Sequence, residues 1–243
     1  MPQPARDSDK NVLLKSIGKI VADDYRAARI FQKYQIDFCC GGHLLLQDAC
    51  RNQGIEPNAI VEEIAALQSE PADQSKNYTA WKWPFLVDYI VNVHHSYINE
   101  HGPNLSLHTQ KTAEVHGERH PELREIATIF NRMMDELKEH LRKEEESFFP
   151  AIKRLSATQK EAVSPGELDV IRDDLTKLRT EHEAVGDMLH AIRRLSLDFQ
   201  IPADACNTYT VAYRGLAEFE NDLHQHVHLE NNILFPKVQQ LLA

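Results

Sequence analysis

Apolar residues recur every three or four positions along most of the chain, whereas the alternation typical of β-strands is nearly absent. Each such stripe predicts an amphipathic helix with one buried face. The longest stripes are Ile126, Ile129, Phe130, Met133 and Leu137; Leu175, Leu178, Val185, Leu189 and Ile192; and Leu216, Phe219, Leu223 and Ile233. We therefore predict an all-α protein.

The chain before residue 69 carries only short helical patterns, at 23–34 and 59–67. Residues 69–80 are polar, contain one proline and follow no helical period, which is typical of a linker. We predict a small helical domain at 1–68, a linker at 69–80 and a helical bundle at 81–243. The first bundle helix is expected to begin near Pro84, and Ser164, Pro165 and Gly166 to mark a turn between hairpins.

Composition narrows the class of function. The 243 residues carry a formal net charge of −10 and no basic run, which argues against broad nucleic-acid binding. The apolar stretches are shorter than the ~20 residues that span a bilayer, and the N-terminus has no apolar core of a secretory signal. The four cysteines, Cys39, Cys40, Cys50 and Cys206, do not resemble a disulfide framework. A cytoplasmic protein is expected.

Two segments of the predicted bundle share a pattern that can carry chemistry. His140 precedes Glu144 by four residues, His226 precedes Glu230 by the same interval, and each glutamate is followed at the same offset by Phe-Pro. Residues four apart lie on one face of a helix, so each segment presents an imidazole and a carboxylate to a single point. Two such pairs facing each other predict a metal site with two ions.

The repeat extends to two single histidines. His95 lies 45 residues before His140, and His182 lies 44 residues before His226, as expected of a duplicated helical hairpin and hence a four-helix bundle. His94 adjoins His95 and continues a neighbouring apolar stripe, so from the residues alone either could face inward. The other histidines have no partner in the repeat and are expected at solvated positions: His43, His101, His108, His116, His120, His190, His224 and His228.

Glutamates on inward faces need a charge partner, because burying an unpaired carboxylate is costly. The alternative is a network of buried ion pairs, but the apolar stripes contain no matching Lys or Arg. Four imidazoles and two carboxylates would give each of two ions two histidines, with both glutamates bridging and room for an oxo or hydroxo bridge. This ligand set favours two iron ions that cycle between Fe(II) and Fe(III), with manganese as a substitute.

Together these motifs resemble the RIC proteins, whose initials stand for repair of iron centres. The resemblance covers about residues 12–240 and rests on Asp-Phe-Cys-Cys-Gly-Gly from Asp37, His-x-x-x-Glu-Glu from His140 and Leu-Glu-Asn-Asn-Ile-Leu-Phe-Pro from Leu229. It implies a hemerythrin-like di-iron four-helix bundle behind a small cysteine-bearing helical domain. The implied metal ligands are His95, His140, Glu144, His182, His226 and Glu230. Typical hemerythrins carry a closing aspartate and an extra histidine where this second hairpin repeats His-x-x-x-Glu.

Two further acidic residues lie close to the predicted ligands in the sequence. Glu136 stands one helical turn before His140, and Glu181 adjoins His182. Either could orient a ligand or provide a polar path to the metals. A solvated surface position is the alternative for Glu181.

The adjacent pair Cys39 and Cys40 has two interpretations. A disulfide between them would need a strained ring, while Gly41 and Gly42 allow a tight turn and the close approach of another group. The thiols are either packing residues or groups that hold iron transiently, take up NO or exchange with a partner's thiols. The family resemblance favours the second interpretation. Cys50 and Cys206 are expected to be inert core thiols.

Three functional hypotheses follow. In the first, a stress-response protein passes iron through Cys39 and Cys40 to iron–sulfur proteins, or their assembly machinery, after damage by nitric oxide or oxidants. In the second, the di-iron site is a nitric oxide reductase that couples two NO molecules to nitrous oxide, with an electron source that the sequence does not supply. In the third, binding of NO or O2 changes how the N-terminal domain docks. Whether the chain forms a homodimer is left open.

Overall fold

A computed structural model describes residues 12–69, 76–157 and 164–242 of the chain. In these ranges the protein is built from helices, apart from one isolated β-bridge between Ser16 and Leu45. The all-α prediction is confirmed. The chain divides into two compact units, of which one comprises Met1–Leu86 with Val227–Gln240 and the other Val87–His226 with Leu241–Ala243.

Four short helices build the N-terminal part. They are α1 (Ile17–Asp23), α2 (Ala28–Lys33), α3 (Leu46–Gln53) and α4 (Pro57–Gln68), joined in part by 3₁₀ turns at Tyr25–Ala27 and Gly41–His43. The two helical patterns predicted at 23–34 and 59–67 correspond to α2 and α4. Ile17, Phe31, Leu46 and Ile60 are fully buried, so this unit has an apolar core of its own.

Four long helices follow. α5 runs through Trp83–Tyr89, a π-helical stretch Ile90–His95 and then Ser96–His116. α6 runs through Glu122–Lys143, a π-helical stretch Glu144–Phe148 and Phe149–Ala157. α7 spans Pro165–Leu195, and α8 runs through Asn207–Leu229, a π-helical stretch Glu230–Leu234 and Phe235–Leu242. None of the described helices is both long enough and apolar enough to cross a membrane.

The predicted apolar stripes form the core of the helical bundle. Leu178 and Leu189 of α7 are buried, and Phe130 of α6 meets Phe219 of α8 edge to face with ring centroids 5.2 Å apart. Each fully buried side chain of this kind contributes about 1.5–3 kcal/mol to stability. Ser164 caps α7 through a reciprocal pair of hydrogen bonds with Glu167, so it marks the beginning of this helix. Residues 158–163, between α6 and this cap, lie outside the described ranges.

The end of the predicted linker is held by the last helix. Lys237 of α8 donates to the carbonyl oxygens of Thr79 and Trp81 at 2.9 and 2.8 Å, all within one compact unit. Tyr78, in the 3₁₀ turn Tyr78–Ala80, is buried. Residues 70–75 of the predicted linker lie outside the described residues, and the predicted domain boundaries at 68 and 81 stay a prediction.

Asn232 of α8 fastens the cysteine-bearing turn inside the same compact unit. Its Nδ2 donates to the carbonyl oxygens of Phe38 and Cys39, both at 3.2 Å. The contact requires glycine, because a Cβ on Gly42 would lie 2.4 Å from Asn232 Oδ1, and one on Gly18 would lie 2.2 Å from it. The close approach predicted for the glycine pair is therefore found at Gly42, and the approaching group is an asparagine side chain.

We expect Gly42→Ala to lower the unfolding temperature, because the added methyl would force Asn232 to give up its two hydrogen bonds. Overpacking and lost hydrogen bonds of this kind cost about 1–3 kcal/mol. Thermal unfolding followed by circular dichroism measures the change. Gly166→Ala is the matched control, since a Cβ there meets nothing within 4 Å. Equal unfolding temperatures for the two variants would contradict the proposed role of this contact.

Candidate metal centre

Three of the four long helices widen into π-helix where candidate ligands lie. His95 ends the π-helical stretch of α5, while Glu144 and Glu230 open those of α6 and α8. In α6 and α8 the α-helical segment that follows the π-helical stretch begins with Phe-Pro. Proline has no N–H group, so it cannot donate to the carbonyl oxygen four residues earlier. The N–H groups of Phe149 and Phe235 instead reach five residues back, to Glu144 and Glu230. The Phe-Pro pairs thus favour a widened turn, a feature frequent at functional sites.

The six candidate side chains form two groups of four buried residues. One group is His95, Glu144, His226 and Glu230, and the other is His140, Glu144, His182 and Glu230. Within each group, one ligand atom from every residue lies within 4.8 Å of the others. The groups share both glutamates, one from α6 and one from α8, where His226 and Glu230 are four residues apart on a single helix. This arrangement can hold two neighbouring cations.

Glu144 lies between two imidazoles. Its Oε2 is 3.4 Å from Nε2 of His95, and its Oε1 is 3.5 Å from Nε2 of His140. Both oxygens are buried, and within the described residues neither makes a hydrogen bond. Burying such a carboxylate is costly, and a cation bound jointly by its oxygens and the ring nitrogens would remove the cost. The residues present therefore fit a metal ion.

Two outlying carboxylates fix the orientation of the imidazoles. Nδ1 of His95 donates to Glu145 Oε1 at 2.8 Å, and Nδ1 of His140 donates to Glu181 Oε2 at 2.7 Å. With the proton on Nδ1, each Nε2 keeps its lone pair for a cation. Nε2 of His140 lies 3.1 Å from Nε2 of His182, where two lone pairs repel unless a proton or a cation lies between them. Glu145 was not among the predicted residues, although the doubled glutamate of the motif includes it.

Of the two predicted acidic residues near the ligands, Glu181 contacts one. The hydrogen bond from His140 lowers the pKa of Glu181 to about 2, with Lys143 acting in the same direction and partial burial opposing both. The carboxylate therefore stays ionised at neutral pH and can hold the ring. Glu136 instead accepts a hydrogen bond from Arg132 at 2.8 Å. The role predicted for Glu136 stays a prediction.

Both adjacent histidines of α5 are buried in its π-helical stretch, although only His95 belongs to a metal-holding group. Nδ1 of His94 lies 2.9 Å from Oδ1 of Asp222, and its ring stacks on His226 with centroids 5.8 Å apart. His94 therefore packs beside a candidate ligand. Nothing in the sequence identifies Asp222 as its partner, because the two residues lie on different helices.

One histidine expected at a solvated position is fully buried. The ring of His228 contacts those of Tyr25 and Phe38, with centroids 5.9 and 5.8 Å away, and Asn232 Nδ2 lies 3.2 Å from its Nδ1. Burial lowers the pKa of His228 to about 3, so the ring is neutral. The expectation of solvation was wrong, because the residues that cover His228 come from the far end of the chain.

The cysteine-bearing turn is organised around Asp37. Its Oδ1 accepts the N–H groups of Cys39 and Cys40 at 2.9 and 3.0 Å and the Cys39 thiol at 3.1 Å. The two sulfur atoms are 4.0 Å apart, far beyond the ~2.05 Å of a disulfide, so the two thiols are not joined by one. The hydrogen bond with Cys40, burial and the charge of Asp37 raise the pKa of Cys39 well above its usual value.

The remaining two cysteines differ from each other. Cys50 is buried, as expected, and burial raises its pKa. Cys206 is exposed just before α8, so the expectation of a core thiol was wrong for it. The backbone N–H of Tyr209, followed by the side chain of His116 with its Nε2 3.1 Å from the sulfur, lowers the pKa of Cys206 to about 7.

Two family models match the chain. Residues 13–68 match ScdA_N, a domain of unknown function (DUF542), and residues 86–238 match the hemerythrin HHE cation binding domain. The second match contains all six candidate ligands and covers more than half of the chain. Its description implies a cation-binding bundle, in agreement with the two groups of buried histidine and glutamate side chains.

Individual proteins are similar over both parts of the chain. The iron-sulfur cluster repair protein ScdA of Staphylococcus haemolyticus is 34% identical over 222 residues, which cover 91% of this chain and 96% of the relative. The iron-sulfur cluster repair protein YtfE of Yersinia pestis (strain Pestoides F) is 34% identical over 223 residues, with 92% and 96% coverage. The YtfE protein of Yersinia pseudotuberculosis serotype O:1b is 33% identical over 223 residues, with the same coverage. The resemblance predicted from the motifs is confirmed.

Glu145→Ala should weaken binding of ferrous iron at the centre, because His95 would lose the partner that orients its ring. Losing such a partner typically costs 10- to 100-fold in metal affinity. Anaerobic titration in competition with a chelator measures the affinity. Glu146→Ala is the control, since that exposed neighbour pairs with Arg142 at 2.7 Å. Equal affinities for the two variants would contradict the orienting role.

Cys206 should be alkylated by iodoacetamide already at neutral pH, because the thiolate is the nucleophile and its pKa is about 7. The rate should rise with pH and level off above that pKa. His116→Gln should move the profile to higher pH, while His108→Gln should leave it unchanged. Mass spectrometry of the labelled peptide over a pH series gives the profile. A profile that His116→Gln does not shift would show that the imidazole does not activate this thiol.

Proposed function

The chain belongs to the hemerythrin HHE cation-binding family, in the group of ScdA- and YtfE-like proteins, and from this premise we propose that it repairs damaged iron–sulfur clusters. The curated relatives carry that function in their names, and they align with almost the whole chain. The observation that carries the proposal is the pair of buried ligand groups that share Glu144 and Glu230. Such a centre can store two metal ions close together.

We assign six ligands to two iron ions. His95 and His226 would hold one ion, His140 and His182 the other, and Glu144 and Glu230 would bridge them. Nitrogen and oxygen donors without thiolates suit iron in a helical bundle better than a closed structural zinc site. When bound, iron supplies an exchangeable, redox-active cation. The carboxylates of Glu145 and Glu181 keep the ring nitrogens of His95 and His140 directed at it.

The proposed repair consists of delivering iron to a damaged protein. Cys39 and Cys40 would take part in the transfer, because Cys40 is partly exposed. On an iron ion held by these thiolates, the thiolates of an iron–sulfur partner could replace them as ligands. Asn232 supports this assignment, since it holds the Cys39 carbonyl from a position two residues after the candidate ligand Glu230. A reducing cytoplasm, under nitrosative or oxidative stress, is the setting in which such reduced thiols and labile iron would operate.

The shared glutamates also favour a second candidate function. Two ions bridged by the same carboxylates would be close enough to bind one NO molecule each, and such proximity promotes coupling to nitrous oxide. The two NO molecules would take up two electrons from an external reductant and two protons, and would give one nitrous oxide and one water. This reaction differs from iron donation in its product, so both functions can be tested on one preparation.

The test measures iron content, the Mössbauer spectrum and reactivation of a nitric-oxide-damaged iron–sulfur enzyme by anaerobically purified protein. About two coupled irons per chain and full reactivation are expected. His140→Ala and Glu230→Ala should lose the coupled irons and the reactivation. His108→Ala, at an exposed histidine, should keep both the irons and the reactivation. If the protein formed nitrous oxide but did not reactivate the enzyme, NO reduction would replace iron donation as its function. A single iron, unaffected by either variant, would overturn the shared centre.

A further inference from the structure

Three metal-binding side chains, those of Asp37, Cys39 and Cys40, meet at the N-terminal turn. One ligand atom each of Asp37, Cys39 and Cys40 lies within 4.8 Å of the other two. The two sulfur atoms are 4.0 Å apart, and the Cys39 sulfur is 3.1 Å from Asp37 Oδ1. Their chemistry differs from that of the bundle, because two of the three donors are thiols.

The spacing of these atoms is close to that of ligands on one tetrahedral ion. With metal–sulfur bonds of ~2.3 Å and metal–oxygen bonds of ~2.0 Å, tetrahedral geometry separates two sulfurs by about 3.8 Å and a sulfur from an oxygen by about 3.5 Å. The observed 4.0 and 3.1 Å lie within about half an ångström of these values. For these two pairs, binding would need only small side-chain movements, and the third pair, Cys40 and Asp37, has donor atoms within 4.8 Å of each other.

The backbone of the turn is already held in place. Asp37 accepts the N–H groups of both cysteines, and Asn232 binds the carbonyl oxygens of Phe38 and Cys39. These four hydrogen bonds fix the segment that carries all three donors. Preorganisation of this kind lowers the entropic cost of binding.

We propose that Asp37, Cys39 and Cys40 form a second metal site, for a thiophilic divalent cation such as Fe²⁺ or Zn²⁺. The inference deepens and rests on the proposed function, since the site would receive iron in transit, with Asp37 as a third ligand. Binding one M²⁺ converts two thiols to thiolates and releases two protons, with no change of oxidation state. Three protein ligands leave a fourth position for a donor from an iron–sulfur partner.

The accessibility of the three residues suits exchange of the ion. Cys39 is buried, whereas Cys40 and Asp37 are partly exposed. A site open on one side binds and releases its ion more readily than a closed structural site.

Cobalt(II) titration of the full-length, reduced protein under anaerobic conditions tests the site. Thiolate ligands give cobalt a near-ultraviolet charge-transfer band that histidine and glutamate ligands do not give, so the bundle does not interfere. The wild type should show this band with the intensity of one thiolate-bound cobalt per chain, whatever further cobalt the bundle takes up, and Cys40→Ser should abolish it. Asp37→Asn should weaken the affinity at least tenfold, because its amide can still cap the turn but carries no charge.

Two controls separate ligation from folding. Asp48→Asn removes an acid that pairs with Arg51 in the same unit, and Cys206→Ser removes the exposed thiol; both should keep the wild-type band. If Asp37→Asn bound cobalt with wild-type affinity, Asp37 would only cap the turn, and the three-ligand site would be overturned. Absence of the band in the wild type would overturn the site altogether.

The outcome can be told apart from failure of the proposed function. His140→Ala should keep the thiolate band while losing reactivation of the damaged enzyme. Reactivation by a wild type that lacks the band would leave cluster repair standing and remove this second site. A band together with failed reactivation by the wild type would leave the metal site standing without the proposed role in repair.

Discussion

The buried carboxylate of Glu144 imposes the constraint on which the bundle depends. It has no exposed surface, and its oxygens face the Nε2 atoms of His95 and His140. Both rings direct their Nδ1 atoms outward, to Glu145 and Glu181, so their inner Nε2 atoms are placed to bind a cation together with the carboxylate. A shared cation satisfies both kinds of group at once. The hydrogen bonds around the centre are thus arranged for a charge that the side chains themselves do not provide.

The long helices also depart from regular α-helix where they carry the buried histidines and glutamates. α7 contributes His182 from a regular α-helix, but the other three long helices widen to π-helix at the centre. A wider turn shifts the register of the residues that face inward, as both buried histidines of α5 illustrate. Proline after Phe149 and Phe235 makes the regular pattern unfavourable at that point, so local sequence and the demands of the site agree.

The segment Glu230–Leu234 serves two purposes. Glu230 belongs to both buried ligand groups, and Asn232 holds the turn that carries Cys39. Gly18 and Gly42 admit the asparagine at a distance that any larger residue would block. A change in this short stretch would therefore affect both the candidate ligand Glu230 and the contact that holds the thiol-bearing turn.

The sequence by itself predicted the helical class, the long helices, the apolar stripes and five of the six candidate ligands, because helical periodicity and the His-x-x-x-Glu repeat are local patterns. For the sixth ligand, the residues alone left the choice between His94 and His95 open. Only the tertiary structure decided which ring nitrogen of His95 and His140 faces Glu144, that Glu145 rather than Glu136 contacts a histidine, and that His228 is buried. Those facts depend on residues brought together from distant positions. Cys206 shows the same limit, since His116 on another helix adds to the effect of the Tyr209 backbone N–H in lowering its pKa, and no pattern along the chain encodes the contact with His116.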